Sequence, residues 1–505
     1  MAWGGSVSDP GQVSETDAVN RVEAKESLKM SQTNVLKLLA GAAATLSAVS
    51  GAYADAESWS SKDEVRAIVA EMLADAETRS SLLQGGGMAG HDGKSFFLGS
   101  GDGNYRLNVG GQIQFRYYLN FRDDENSVDR DGDGDVDAAD DALAEDDFES
   151  GFQTRRTKLV FDGNVINPNI FYKVQSNFSS STGGDGLEEA YVGYRWDNGF
   201  WMKWGQFKTM YLREENVSSR YQLAADRSLT NETFNQDYSQ GIELGYKAED
   251  WQFVFAFTDG FGSRNTQFGT VVGGPVSGSP GTFPAGSAFG PVDVGGTSTY
   301  GEADYALTGR FEYKFMGDWN QLKDFTSPGG SDWALLLGIA GHWEGSPEDT
   351  AALGDTESNY GAWTVDLSLE GDGWNFFVAG IGSHTDTDDV DDGAGGTADA
   401  EFDDYGLVAQ AGIMIPETDW EFFIRYDVTW IDDEERGVDE DDDEFSTLTF
   451  GTNWYWSGHA AKFTLDCQWF IDENNALANP DAQIGYLGDD DEGEIAIRAQ
   501  FQLLF

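Results

Sequence analysis

Residues 129–140 read D-R-D-G-D-G-D-V-D-A-A-D, and this stretch has the spacing of a cation loop. A twelve-residue Ca²⁺ loop needs hard oxygen ligands at positions 1, 3, 5, 9 and 12, a backbone carbonyl at 7, and glycine at 6 for the sharp turn. Asp129, Asp131, Asp133, Asp137 and Asp140 fill the carboxylate positions, Gly134 supplies the turn, and Asp135 would offer its carbonyl. The expectation is one structural Ca²⁺; the alternative is a solvated acidic loop. Softer metal chemistry has no basis here. Cys467 is the single cysteine, and His91, His342, His384 and His459 stand far apart without an H-E-x-x-H spacing. That excludes a disulfide framework, a multi-cysteine metal site and a zinc hydrolase of that type. No histidine sits in a recognisable catalytic motif, so the expectation is a protein that is not an enzyme.

The charge balance narrows the partners. Acidic residues outnumber basic ones 89 to 31, a formal charge of −58. Such a surface repels polyanions, so nucleic acid is not an expected partner. Aromatic residues make up 13% of the chain, with 63 glycines and only 10 prolines, which suits many strands and tight turns and argues against general disorder. The acid is concentrated in runs at 386–392, 400–404, 432–444 and 489–494.

The elements that must carry these loops show a period of two. In 420–431, Trp420, Phe422, Ile424, Tyr426, Val428 and Trp430 alternate with Glu421, Arg425, Asp427 and Thr429. In 460–470, Phe463, Leu465, Cys467 and Trp469 alternate with Lys462, Thr464, Asp466 and Gln468, and 494–505 repeats the pattern to a terminal Phe505. Period two means strands. Tryptophan and tyrosine gather at segment ends, as at membrane interfaces. Connections also alternate in length: 197–199, 249–250, 371–373 and 457–459 are short, whereas 122–150, 209–236, 260–301, 384–403, 432–444 and 471–493 are long. Short turns on one side and long loops on the other are the signature of an outer-membrane barrel, with lipid on the apolar face and a wet lumen on the other.

The expected fold is all-β: a transmembrane antiparallel β-barrel of about sixteen strands over 101–505. The strands fall near 105–121, 152–164, 170–178, 187–196, 200–208, 238–247, 251–259, 303–315, 332–343, 360–370, 374–383, 404–415, 420–431, 445–456, 460–470 and 494–505. The inner wall reads as mixed in sign, with Arg116, Lys158, Lys173, Arg310, Arg425, Lys462 and Arg498 beside Glu189, Glu243, Asp366, Glu421, Asp427 and Asp466. Ahead of the barrel, 1–54 reads as a signal peptide ending in Ala52-Tyr53-Ala54, with Met30 the more ordinary start. Residues 55–100 read as a periplasmic helix over 57–85 and a glycine-rich hinge over 85–93.

The runs GQIQFRYYLNF (111–121), FQTRRTKLVFDGNV (152–165), LEEAYVGYRW (187–196), WGQFKTMYLREENVSS (204–219) and ADRSLTNETFNQDYSQGIELGY (225–246) resemble the phosphate-selective porin O and P family, in its planctomycete-type form. The resemblance implies a homotrimer in the outer-membrane lipid whose third external loop, here 209–236, folds inward to narrow the channel. It points to Arg213, Arg220 and Arg227, with Lys203 and Lys208 on the preceding strand, as constriction residues. A guanidinium can bind two oxygens of a phosphate or carboxylate at once. Glu214, Glu215, Asp226 and Glu232 accompany these cations. The expected function is passive diffusion of small polar solutes or ions, anions such as phosphate among them, with a weak or cation-leaning preference. The alternative is an adhesin or structural anchor built on acidic, Ca²⁺-binding external loops.

Overall fold

The computed structural model describes residues 87–122, 148–179, 186–260, 263–265, 305–346, 358–391, 397–432, 443–472, 484–487 and 493–505. The stretches read above as a signal peptide (1–54), as a helix (57–85) and as a cation loop (129–140) lie outside the described residues. A hairpin of β1 (Gly87–His91) and β2 (Phe96–Ser100) comes first. The barrel follows: β3 (Arg106–Phe121), β4 (Phe148–Asn164), β5 (Ile170–Asn177), β6 (Gly186–Arg195), β7 (Phe200–Lys208), β8 (Tyr238–Lys247), β9 (Trp251–Thr258) and β10 (Tyr305–Met316) form its first half. The second half is β11 (Ala334–Ser346), β12 (Ser358–Gly371), β13 (Trp374–Asp391), β14 (Thr397–Met414), β15 (Trp420–Trp430), β16 (Glu444–His459), β17 (Ala461–Phe470) and β18 (Ile495–Leu504). Each barrel strand pairs antiparallel with the next, and β18 returns to β3, from Ile495 opposite Phe121 to Leu504 opposite Gln112. The barrel is closed at sixteen strands, and every span read from the alternation corresponds to one of them.

The two faces of this sheet meet different solvents. On β11 the outward residues run from Trp333, just before the strand, to Trp343, and on β15 from Trp420 to Trp430. Ten residues at about 3.4 Å rise and about 45° tilt give about 24 Å, the height of the apolar band of an outer-membrane barrel. Between these aromatics Ile339 is 49% exposed and Ile424 51% exposed, while Gln114, Arg116, Thr449, Asn453 and Arg498 on the inner face are fully buried. Aromatic rings stack at the short-turn end: Trp420 on Trp454 at 5.5 Å, Trp454 on Trp456 at 4.9 Å and Trp333 against Trp374 at 5.0 Å. No second sheet covers the apolar side among the described residues; the strands form one closed sheet. Lipid is the solvent that fits.

Two readings change. Residues 85–93 are not simply a hinge, because Gly87–His91 is strand β1, and β2 takes the edge of β3 between Arg106 and Val109, beyond the point where β18 ends. The glycines hid this strand. Residues 384–403 are not simply a loop either: β13 runs to Asp391 and β14 starts at Thr397. The apolar signal stops where lipid stops, whereas the hydrogen-bonded ladder continues into water with Thr and Asp. The terminal aromatic is seated rather than free. Gly111 donates its N–H to the Phe505 carbonyl at 2.7 Å, and a Cβ on Gly111 would lie 2.3 Å from the Phe505 ring.

If lipid is the outer solvent, Ile339→Arg places a charge midway between Trp333 and Trp343. Denaturant unfolding in a bilayer should show a loss of about 2–4 kcal/mol, and an unchanged midpoint would refute the lipid assignment there.

Candidate permeation site

Residues 209–237, between β7 and β8, fold into the lumen. They form a short helix α1 (Arg213–Asn216), a 3-10 turn at Ser219–Tyr221 and a second helix α2 (Leu229–Phe234) capped by Ser228, whose hydroxyl accepts the Asn231 N–H at 3.0 Å. Apolar side chains hold one face of the segment to the wall. Tyr211, Leu212 and Phe234 pack on Ala340, Tyr360, Ala362 and Ile381. Val217, Leu223 and Ala224 pack on Phe377, Ala379, Val408 and Phe423, joined by Phe325 from the connection between β10 and β11. Gly406 on β14 leaves room for α2: a Cβ there would lie 2.5 Å from Thr230 and 2.8 Å from Phe234. One side of the lumen is therefore filled by a packed core.

Charge fastens the rest. The Asp226 carboxylate meets Arg116, Arg156 (2.9 Å) and Arg155 (3.4 Å). Burial alone would raise this carboxyl, yet the three guanidiniums hold it well below the usual carboxylate range. Glu214 accepts from Arg425 at 3.3 Å and from the Ser228 hydroxyl at 2.6 Å. Wall donors also cap backbone carbonyls of the segment: Arg310 on Tyr211 (3.0 Å), Lys462 on Gln222 (2.7 Å), Asn453 on Leu223 (2.9 Å) and Arg425 on Asp226 (2.9 Å). Several wall cations thus hold the insert in place.

Across from this core, a cavity of about 280 Å³ runs beside β4 to β8. Two bulges shape its charge. The register of β3 against β4 shifts between Gln114 and Phe115, so Arg155 and Arg156 both reach the lumen side, where they share Asp226. The register of β5 against β6 shifts between Gln175 and Ser176, and Glu188 and Glu189 both turn inward, to Lys158 (2.6 Å) and to Lys173. A bulge adds one residue to a strand and re-aims its side chains. Eight basic side chains line the cavity against five acidic ones. Burial, reinforced by the neighbouring Glu215 carboxylate, pushes Glu232 up to about 7.

Of the residues singled out beforehand, Lys208, Arg220 and Arg227 come together on this cavity, while Lys203 and Arg213 are not part of its lining. Lys208 pairs with Glu215, and Arg227 reaches the same carboxylate at 3.1 Å. The Arg220 guanidinium has no carboxylate partner among the described residues, and its Nε has no hydrogen-bond partner there. Lys203 pairs with Glu243 at 3.0 Å over the Phe207 ring. Arg213 donates to the Leu322 carbonyl and to Ser368 Oγ at 3.4 Å, inside the packed half. Arg155, Arg156 and Glu188 are additional site residues; Arg156 is in phase with the inward Lys158, whereas strict alternation turns Arg155 and Glu188 outward. Their signal was the doublets Arg155-Arg156 and Glu188-Glu189, like charges adjacent in period-two strands.

A closed barrel coated in apolar side chains, with a charged cavity inside, is a porin: a passive channel of the bacterial outer membrane. Residues 129–288 match the family model of phosphate-selective porin O and P, which overlaps the sequence resemblance between 152 and 246. No curated protein matches the sequence. Among solved structures, the outer-membrane channel DcaP of Acinetobacter baumannii is similar at 11% identity, covering 79% of this chain and 97% of that one, with a TM-score of 0.46. The anion-selective porin from Comamonas acidovorans is similar at 11% identity over 79% and 99% of the two chains, TM-score 0.45. OmpT of Vibrio cholerae is similar at 9% identity over 79% and 98%, TM-score 0.44.

Asp226→Asn removes the carboxylate that three guanidiniums share. Leaving buried charge unpaired should cost about 3 kcal/mol, seen as a lower unfolding midpoint, and should make single-channel current noisier. Wild-type stability and quiet channels would show that Asp226 does not hold the insert.

Proposed function

We propose that this porin passes small hydrated anions with phosphate- or carboxylate-like oxygens along β4 to β8, and that it works as a homotrimer. The net charge of the chain suggests a weak or cation-leaning preference, but permeating ions meet the local lining. There cations outnumber carboxylates, and Arg220 offers a guanidinium with no carboxylate of its own among the described residues. That imbalance carries the reading, since a guanidinium fork matches two oxygens of one oxyanion. Nothing among the described residues favours the adhesin or anchor alternative.

Reversal potential under a salt gradient in planar bilayers tests this. The expected result is anion preference that falls in Arg220→Ala and falls further in Arg156→Ala. Cation preference in the wild type would overturn it. The Glu232 carboxyl, raised to about 7, is charged at pH 8 and largely neutral at pH 6. The cavity thus loses negative charge as pH falls, so anion preference should be greater at pH 6, and Glu232→Gln should remove most of that difference.

A structural Ca²⁺ on Asp129, Asp131, Asp133, Asp137 and Asp140, with the Asp135 carbonyl, completes the proposal, on the strength of the ligand spacing. Calorimetry of the detergent-solubilised chain should show Ca²⁺ uptake that Asp131→Asn with Asp133→Asn abolishes. Uptake unaltered by that pair would place any Ca²⁺ elsewhere.

A further inference from the structure

At the periplasmic end, consecutive strands are joined by five residues or fewer, with one exception. The exception is 317–333, between β10 and β11, whose ends lie side by side where Met316 pairs with Leu335. Long connections with adjacent ends form compact loops, and lids are commonly built from them. Asp318, Asn320, Lys323 and Pro328 are exposed on this one, while Leu322, Phe325, Thr326 and Ser327 are buried.

The buried side chains meet the underside of the insert and the wall beside it. Phe325 shares a core with Val217, Leu223 and Ala224 of the insert, its ring 4.9 Å from that of Phe377. Arg213 donates to the Leu322 carbonyl, and its guanidinium lies 5.8 Å from the Phe325 ring. Asp324 lies 3.5 Å from His459, whose ring meets Tyr221 of the insert edge-on at 4.9 Å. Thr326 Oγ1 and the Tyr455 hydroxyl are 2.8 Å apart, and Ser327 donates to the Gly371 carbonyl at 2.9 Å. Near the two ends, Trp319 donates to the Glu249 carbonyl at 2.8 Å and the Gly330 N–H to Asp372 Oδ1 at 2.6 Å. Backbone-to-backbone hydrogen bonds of 318–331 are internal, from Gln321 and Leu322 to Asp318 and from Ser331 to Pro328. Among the described residues, then, no ladder ties the segment to the wall. Gly317 (φ 87°) and Gly330 (φ 84°) flank it in the left-handed region that glycine adopts freely.

We propose that 317–333 is a periplasmic lid on the insert, opening as a unit about its glycine ends and admitting water and solute beneath the filled half. A segment held by one large aromatic side chain and scattered hydrogen bonds opens at much lower free energy than the barrel around it. The motion leaves the barrel ladder intact, because β10 and β11 pair directly with each other from Met316 and Leu335 onward. The upper part of the insert has its own anchor. Tyr211, Leu212 and Phe234 pack on Ala340, Tyr360, Ala362 and Ile381, and none of these belongs to the cluster around Phe325. Opening therefore uncovers Val217 and Leu223 while the upper core and the Asp226 clamp stay in place. The lid adds a second, closed route to the passage along β4 to β8, whichever ion passes there.

Thiol labelling of the full-length protein in lipid vesicles tests the lid, in a Cys467→Ser background with a water-soluble maleimide on both sides. Val217→Cys reports on the space covered by Phe325, and Ala362→Cys on the upper core. Phe325→Ala should raise the labelling rate at Val217→Cys about tenfold, as local opening becomes more frequent, and leave the rate at Ala362→Cys unchanged. Ser327→Ala, which keeps the aromatic anchor, should raise it several-fold at Val217→Cys alone, and decides the matter if Phe325→Ala fails to fold. Equal acceleration at both thiols would mean a core loosened throughout, and unaltered labelling at Val217→Cys would mean a fixed floor. Either result overturns the proposal. Planar-bilayer recording reads the second route: both lid variants should step to a larger conductance more often than the wild type. Faster labelling with wild-type current would overturn the lid as a gate. A wild type that conducts nothing would sink the pore reading, while the labelling rates still decide whether the lid opens.

Discussion

The Asp226 carboxylate is shared by three guanidiniums from two neighbouring strands, Arg116 on β3 and the bulged pair Arg155 and Arg156 on β4. It lies on the segment between β7 and β8, whose apolar side is already committed to β11 to β15 across the lumen. The segment is therefore clamped between an apolar wall and a cationic one. If it came free, three buried cations would lack their common partner and a hydrophobic core would open to water. The lumen keeps its shape because both costs are avoided at once.

That clamp accounts for a division of labour among the wall charges. Arg310, Arg425 and Lys462 donate to backbone carbonyls of the insert or hold its carboxylates, so their charge is used in fastening. The cations beside β4 to β8 instead stand at a cavity, in alternation with Glu188, Glu189 and Glu215. A chain with a formal charge of −58 can thus carry a net-positive passage, because its permeation path samples a small, local set of side chains.

The barrel was legible in the sequence because lipid imposes period two on each strand, and sixteen such segments stood out. Strand ends were legible only where lipid ended with them: β13 and β14 run on through Thr and Asp, and β1 is half hidden by glycine. The inward loop was placed by resemblance, but its packing was not. Phe377 and Phe423 face a protein core inside the barrel, so β13 and β15 carry apolar residues on both faces, and alternation cannot tell a lipid-facing phenylalanine from one that meets the insert. Lys203 and Lys208 lie on one strand, five residues apart, yet only Lys208 lines the cavity, because the chain turns inward after β7. The bulges defeated a strict odd–even count, and Arg155 and Glu188 fell through it.

Among the described residues, only one side of the lumen is open. Thiol-specific modification from the aqueous phase during single-channel recording tests it directly, in a Cys467→Ser background. Lys173→Cys, on the cavity, should react with an anionic methanethiosulfonate reagent and step the current down. Thr449→Cys, on the filled side, should stay inert in the folded channel. Equal reactivity at the two positions would mean an open lumen with a loose insert, and would contradict the account.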